Sequence, residues 1–289
     1  MKKILSIALI FCLALGLFAC GSKDKEDTAT EEETTAAATQ TLDAIKEAGE
    51  IIMFTNAEFP PFEYRDDQNN VAGVDVDIAN EIAKDLGVKL VVEDVNFDSI
   101  VTSIQAGKAA FGAAGMTVTP EREKNVDFST KYVSSKQYVI LPKGVTIKTI
   151  EDLDGKTIGV QSGTTGDFIV SDAIEGTDEA EALIPKAEIK GYNTAIMAAQ
   201  DLVSGRLDAV VIDKLPAENI TAANADAEVT TVELTYADGS DTTEEYAICV
   251  QKDNKELLDA INATLDRLIK DGSIDQYLVK HSEAGAVAK

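Results

Sequence analysis

The stretch IQAGKAAF, Ile104 to Phe111, has a counterpart in LVSGRLDA, Leu202 to Ala209. In both stretches the end of a helical pattern is followed by a glycine, a basic residue and an apolar segment typical of a strand. The two strands would end near Gly115 and Asp213. If the chain repeats one α/β unit, these strand ends occupy matching places; a chance similarity between short stretches is the alternative.

The segments around these stretches alternate between strand and helix patterns. Glu50–Phe54 and Lys156–Val160 are predicted as short strands, and 75–86 carries apolar residues at helical spacing. Asp98 is predicted to cap the next helix, and a further helix is expected to begin near Asp167. This alternation predicts an α/β fold, in which ligands bind outside the carboxyl ends of strands, so both strand ends would face one cleft.

The charge of the chain restricts what it can bind. The 289 residues include 51 acidic and 26 basic side chains, which gives a formal charge of −25. Such a charge argues against nucleic acid and against an anionic lipid surface as partners. A bound anion must therefore be held by a local group, and the chain has few arginines to offer.

The N-terminal segment has the pattern of a targeting sequence. A basic start, Met1–Lys3, precedes the largely apolar run Ile4–Ala19, which is shorter than the roughly 20 residues that a membrane span needs. The run ends at Cys20, which resembles the lipidated cysteine of a bacterial lipoprotein. We expect a lipoprotein signal peptide over residues 1–19 and a disordered acidic tether over 20–40. An uncleaved N-terminal anchor is the alternative.

Few residues are suited to catalysis. His281 is the only histidine and is expected to be solvated in a polar tail, and Cys249 is expected to be a small buried hydrophobe. No metal-ligand cluster, cofactor motif or nucleophile with a base partner stands out. We therefore expect no catalytic residues, no metal and no cofactor.

Two loops could instead bind an anion. Gly163–Gly166 joins a predicted strand to a helix, where free backbone N–H groups stabilise a carboxylate or phosphate. Thr117–Arg122 is a second helix start, and the Arg122 guanidinium could hold a carboxylate through two parallel hydrogen bonds. Asp213, on the matching strand end, could accept from an ammonium. An Arg and an Asp across one cleft suit the zwitterion of a free amino acid, although both residues could simply be helix caps.

The chain resembles a known family over about residues 45–280. The motifs that carry the resemblance are FPPFEY (Phe59–Tyr64), GVDVD (Gly73–Asp77), GMTVTPER (Gly115–Arg122), DFS (Asp127–Ser129), DLDGK (Asp152–Lys156), GTTG (Gly163–Gly166) and DGS (Asp271–Ser273). In this order and spacing they are similar to those of the solute-binding proteins of polar amino-acid ABC importers.

The resemblance implies a two-lobed periplasmic-binding-protein fold of type II. Residues 41–132 plus 246–285 would form the first lobe and 133–245 the second, joined by two crossover strands that let the lobes close on a ligand. It also implies a monomer on the extracytoplasmic face of the membrane, held there by the lipid anchor alone. The partners would be a free amino acid and an ABC permease.

Ligand contacts are implied at both strand ends. Arg122 and the backbone N–H groups of Thr117 and Thr165 would bind the α-carboxylate. Asp213, the Gly115 carbonyl and the Thr117 hydroxyl would bind the α-ammonium.

The remaining implied contacts surround the ligand side chain: Asn56, Phe59, Phe97, Ala114, Gln161 and Thr164. Phe59 and Phe97 would sandwich that side chain, and Asn56, Ala114 and Gln161 would line its far end.

One departure from the family bears on the ligand. Members that favour cationic side chains often carry Asp where this chain has Asn56, so we expect a neutral or polar amino acid rather than a cationic one, although Glu58 keeps the cationic option open. Two other functions remain possible on this fold. One is a periplasmic dehydratase-like enzyme with Glu58 as acid/base group, and the other is a sensory protein that presents its ligand to a receptor.

Overall fold

A computed structural model describes residues 40–285 of the protein. The expected signal peptide, the expected lipidation site Cys20 and all of the expected tether except Gln40 lie outside the described residues. Within 40–285, no helix is long and apolar enough to cross a membrane.

Helices and strands alternate along the described chain. The helices are α1 Leu42–Ala48, α2 Val74–Leu86, α3 Ile100–Gln105, α4 Pro120–Glu123, α5 Thr165–Glu175, α6 Ala195–Val203, α7 Lys214–Ala223, α8 Lys255–Lys270 and α9 Ser273–Gly285. The strands are β1 Glu50–Thr55, β2 Glu58–Phe59, β3 Glu63–Arg65, β4 Val71–Ala72, β5 Lys89–Asp94, β6 Phe111–Gly112, β7 Val126–Phe128, β8 Val133–Pro142, β9 Thr157–Gln161, β10 Glu188–Tyr192, β11 Ala209–Asp213, β12 Val229–Glu233, β13 Thr243–Tyr246 and β14 Cys249–Gln251.

Two main sheets share one strand order. The first runs β5-β1-β6-β14-β7 and the second β10-β9-β11-β8-β12. In the first sheet, β1 pairs in parallel with β5 and β6, and β14 pairs antiparallel with β6. In the second, β9 pairs in parallel with β10 and β11, and β8 is antiparallel to β11. The predicted α/β repeat is confirmed, because β6 and β11 occupy equivalent positions in the two sheets.

Each sheet is covered by helices on both faces, and we call each covered sheet a lobe. In the first lobe, α2 and α8 bury Ile78, Ile82 and Leu265 on one face, and α3 buries Ile104 on the other. In the second lobe, α6 and α7 cover one face, and α5 packs Val170 against the other. Helix stripes are thus buried against both sheets, and one apolar cluster, which includes Ile78 and Ile220, contains residues of both lobes.

The chain passes between the lobes in two neighbouring segments, one after β7 and one after β13. They hydrogen-bond to each other: the Ser129 amide donates to the Ile248 carbonyl at 2.9 Å, and the Tyr132 amide donates to the Tyr246 carbonyl at 3.0 Å. The two connections therefore form one paired ribbon below the cleft.

Three local predictions differ from the structure. Asp98 lies inside a 3₁₀ turn, Phe97–Ser99, and does not cap α3. The helix expected near Asp167 begins two residues earlier, because the Thr164 hydroxyl accepts from the Asp167 amide and acts as its cap. His281 is not solvated: it is 4% exposed, since α9 folds back against α2.

Glycine is required at Gly73, where α2 begins. Its φ is +141°, and a β-carbon there would lie 2.0 Å from the Phe62 carbonyl oxygen. That carbonyl accepts a hydrogen bond from the Asp75 amide at 3.0 Å, so the close approach fixes α2 against the segment that leads into β3.

We expect Gly73→Ala to lower the free energy of unfolding by more than about 3 kcal/mol, because it adds a steric clash to an unfavourable φ. Gly87→Ala is the matched control, since Gly87 also has a positive φ but no atom within 4 Å of a new β-carbon. It should cost about 1–2 kcal/mol. Urea denaturation of both variants measures the difference, and equal losses would contradict the steric argument.

Candidate functional site

The equivalent strand ends of the two lobes face one narrow space. Nine residues line it: Phe59, Phe97, Gly115, Thr117, Arg122, Gln161, Thr164, Thr165 and Asp213. All nine are among the eleven contacts predicted from the sequence. The free volume is about 10 Å³, which is room for about one water molecule.

The Arg122 side chain is buried at this space and bridges the lobes. Its guanidinium donates to the Thr117 carbonyl at 2.6 Å in the first lobe and to the Gly163 carbonyl at 2.9 Å in the second. Its charged carbon lies 5.4 Å from the Phe97 ring centroid and 5.9 Å from that of Phe168. Within residues 40–285 no carboxylate forms a salt bridge with it, so its charge can pair with a bound anion. Burial lowers the pKa of Arg122, but a guanidinium stays charged in proteins.

The start of α5 supplies further donors to the same wall. The Thr164 hydroxyl accepts from the Asp167 amide and donates to the Gln161 carbonyl at 2.7 Å, which fixes the first turn. The first-turn N–H groups, including that of Thr165, have no intrahelical partner. Together with the helix dipole they favour negative charge beside Arg122.

Carboxylates form the opposite side of the space. Asp213 accepts a hydrogen bond from the Tyr246 hydroxyl, and both side chains are buried. Glu244 is buried as well and accepts from the Thr117 hydroxyl and from the Gln137 amide, both at 2.6 Å. Burial first, and then the neighbouring Glu244, raises the pKa of Asp213 well above its ordinary value. An ammonium placed here would favour the ionised form.

Sequence reasoning missed Glu244 and Phe168. Exposed and buried residues alternate along β13, and this alternation turns Glu244 inward and its neighbour Glu245 outward. The same period-2 pattern in TEEY could have indicated an inward carboxylate. Phe168 gave no comparable indication, since it is 43% exposed and is brought near Arg122 only by the meeting of the lobes.

The two remaining predicted contacts lie next to the space. Asn56 donates to the Val95 carbonyl at 2.9 Å and accepts from Gln161 at 3.0 Å, which makes a second hydrogen bond between the lobes. Ala114 is buried in the apolar cluster behind Phe97. The structure thus brings all eleven predicted residues to one region, although the amide of Asn56 is already engaged within the protein.

Glu58 lies elsewhere. It is exposed and lines a larger groove of about 590 Å³ on the outer side of the lobe junction, with Pro60, Tyr64, Ile196 and Ile220. The acid/base residue considered for an enzyme is therefore not directed at the space that holds Arg122 and Asp213. In the described part of the chain, no group of three or more His, Cys, Asp or Glu residues is arranged to hold a metal ion.

Comparison with known proteins identifies the family. Residues 51–284 match the model of the bacterial extracellular solute-binding proteins, family 3, and the chain belongs to that family. Its members are extracytoplasmic binding proteins, and the fold is the type II periplasmic-binding-protein fold.

Individual relatives are named for the amino acids that they bind. The chain is 29% identical to the arginine-binding extracellular protein ArtP of Bacillus subtilis (strain 168), over 97% of this chain and 98% of that protein. It is 32% identical to a probable histidine-binding protein of Neisseria gonorrhoeae, over 100% and 99%. A solved structure of an ancestral arginine-binding protein bound to arginine has a TM-score of 0.73 and 38% identity, over 80% of this chain and 97% of that one. These relatives are named as binding proteins rather than enzymes.

The expectation of a neutral or polar ligand in preference to a cationic one is wrong. Two of these relatives, which cover 97% and 80% of the chain, are named for arginine, a cationic amino acid. The inference relied on the neutral amide of Asn56, but that amide is already hydrogen-bonded to the Val95 carbonyl and to Gln161 within the protein. A single neutral side chain therefore does not determine the charge of the ligand.

Asp213 makes stability depend on pH in the ligand-free protein. Because its folded-state pKa is raised, native Asp213 keeps a proton that the unfolded chain loses near pH 4, so its contribution to stability falls as the pH rises. We expect Asp213→Asn to be more stable than the wild type by about 1–3 kcal/mol at pH 8 and nearly equal to it at pH 4. Urea denaturation at both pH values tests this.

The exposed substitution Asp178→Asn is the control and should leave the pH dependence unchanged. A stability difference between Asp213→Asn and the wild type that is the same at both pH values would contradict the raised pKa.

Proposed function

We propose that this protein is a lipid-anchored extracytoplasmic receptor that captures a free amino acid between its lobes and delivers it to an ABC permease. Arginine is the first ligand to test. The observation that carries the proposal is a buried Arg122, which has no salt-bridge partner among residues 40–285 and lies across one space from the buried Asp213. This separation of opposite charges matches the zwitterion of an amino acid.

The α-carboxylate would bind at Arg122. A guanidinium holds a carboxylate through charge-assisted hydrogen bonds, and the free N–H groups at the start of α5, including that of Thr165, add to it. The stacking of Phe97 and Phe168 on Arg122 supports this role, because it restricts the guanidinium without using its donors.

The α-ammonium would bind at Asp213, the Gly115 carbonyl and the Thr117 hydroxyl. Glu244 accepts a hydrogen bond from the Thr117 hydroxyl and so adds a second carboxylate near the proposed ammonium site. An ammonium carries three donors and no acceptor, so a wall of acceptors suits it.

The ligand side chain would extend between Phe59 and Phe97 toward Asn56, Gln161 and Ala114. Aromatic faces attract cations, and amide oxygens accept from a guanidinium. A long cationic side chain would replace the hydrogen bond between Asn56 and Gln161 with its own.

Ligand entry would require the lobes to move apart. We assign residues 41–132 plus 246–285 to one lobe and 133–245 to the other. The distribution of strands between the two sheets supports this division. Several hydrogen bonds join the lobes at the space, among them those from Arg122 to Gly163 and from Gln161 to Asn56. A ligand that pairs with groups of both lobes would stabilise their closed arrangement.

The ligand assignment predicts a preference for positive charge. Arginine should bind at least tenfold more tightly than citrulline, which has nearly the same shape with a neutral end group, because the faces of Phe59 and Phe97 attract the charged guanidinium. Titration calorimetry with both compounds measures this. Equal affinities would contradict a cationic ligand, and no binding of any free amino acid would contradict the proposed function.

Arg122→Ala should weaken arginine binding at least a hundredfold, since removing a buried charge partner costs several kcal/mol. Arg206→Ala is the matched control, because Arg206 is exposed and paired with Asp201 far from the space. That variant should bind as the wild type does. Unchanged binding in Arg122→Ala would exclude the proposed site.

The lipid anchor predicts a change of location in Cys20→Ser. Without the thiol, no lipid can be attached, and the protein should move from the membrane fraction to the soluble extracytoplasmic fraction. Fractionation with metabolic labelling by palmitate distinguishes the alternatives. An unlabelled wild-type protein that remains membrane-bound would indicate an uncleaved N-terminal anchor instead.

A further inference from the structure

A second set of buried acids lies behind the proposed ligand wall. Asp75, in the first turn of α2, accepts a hydrogen bond from the Gly115 amide and another from the Tyr132 hydroxyl, each at 2.8 Å. Gly115 lines the ligand space, and a β-carbon on it would lie 2.6 Å from the Phe59 ring. Asp75 therefore holds a backbone segment that has little room to shift.

Glu63 lies beside Asp75, and no donor among the described residues hydrogen-bonds to its carboxyl group. It is 0% exposed on β3, and neither of its carboxyl oxygens accepts a hydrogen bond from the described residues. An ionised carboxylate in this place would be fully desolvated and unsatisfied, which costs several kcal/mol. A protonated carboxyl avoids that cost, because its O–H can donate to the Asp75 carboxylate.

The groups that act on Glu63 all favour its neutral form. Asp75 on α2, Asp213 on β11 and Asp94 on β5 are acids, and Tyr132 carries a neutral hydroxyl. Burial, followed by Asp75, raises the pKa of Glu63 well above its ordinary value. Burial raises the pKa of Asp75 only to about 6, because the hydrogen bonds from the Gly115 amide and the Tyr132 hydroxyl stabilise its charge. At neutral pH one proton therefore stays on Glu63, and Asp75 carries the charge.

We propose that Glu63 is a positioning residue of the amino-acid site that stays protonated at neutral pH, with its O–H holding the Asp75 carboxylate on the Gly115 amide. This deepens, and rests on, the proposed amino-acid binding. Gly115 can then present its carbonyl to the ligand ammonium in a fixed orientation. Because the Gly115 segment is already ordered, less conformational entropy is lost when the ligand binds.

Two substitutions distinguish the effect of the Glu63 proton on arginine binding from the effect of the side chain's shape. Glu63→Gln keeps a neutral donor of the same size, so its Kd for arginine should stay within about threefold of the wild-type value. Glu63→Met keeps the length but has no donor, so Asp75 loses one of its three hydrogen bonds and Kd should rise about tenfold.

The pH profile distinguishes positioning from a purely structural role. Without the Glu63 donor, the pKa of Asp75 rises, and the Asp75 carboxylate forms only at higher pH. The ratio of Kd between Glu63→Met and the wild type should therefore fall from pH 6 to pH 8, while the ratio for Glu63→Gln stays constant. A constant ratio for Glu63→Met, or a weakened Glu63→Gln, would overturn the proposal.

A measurement on the wild-type protein covers the case in which a variant does not fold. With glutamate labelled by ¹³C at the carboxyl, one carbon should keep the chemical shift of a protonated acid at pH 7, both without and with arginine. Fully ionised glutamates would overturn the inference. If no amino acid binds but this resonance is present, the proposed function fails and the protonated Glu63 remains.

Discussion

The guanidinium of Arg122 lies buried between the lobes, where a charge taken out of water costs several kcal/mol unless hydrogen bonds replace the solvent. Carbonyls of Thr117 and Gly163 supply two such bonds, one from each lobe, and Phe97 and Phe168 flank the guanidinium. None of these neighbours neutralises the charge. The lobes thus meet around a cation whose counter-ion is not part of the described chain, and the rest of the site is arranged around that excess charge.

The acids are kept apart from this cation and are stabilised in different ways. Asp213 borders the ligand space and accepts from Tyr246, and the buried Glu244 accepts from Thr117 and Gln137. Behind them, Glu63 and Asp75 form a pair that shares one proton. This sharing of a proton follows from desolvation, because adjacent buried carboxylates cannot all be ionised. Asp213 and Glu244 are suited to bind an ammonium, and Glu63 and Asp75 are suited to hold the backbone at Gly115.

Much of this arrangement could be predicted, and the failures have physical reasons. The repeated helix–glycine–strand pattern indicated equivalent strand ends, and β6 and β11 are equivalent in the sheets. The capping role predicted for Asp98 was wrong because a 3₁₀ turn precedes α3. The solvent exposure predicted for His281 was wrong because α9 packs on α2. The expected ligand charge was wrong because it relied on Asn56, whose amide is already hydrogen-bonded within the protein.

By itself, the sequence determined the α/β class and the strand ends, because periodicity and turn chemistry are local properties. Most of the residues at the cleft followed from the resemblance to the family instead. Only the tertiary structure decided which charges are paired. Contacts between residues far apart in the chain turn Glu244 inward. They also leave Arg122 without an acidic partner, and Glu63 without a hydrogen-bond donor, among residues 40–285. Burial sets the cost of each charge, and burial exists only once the lobes are assembled.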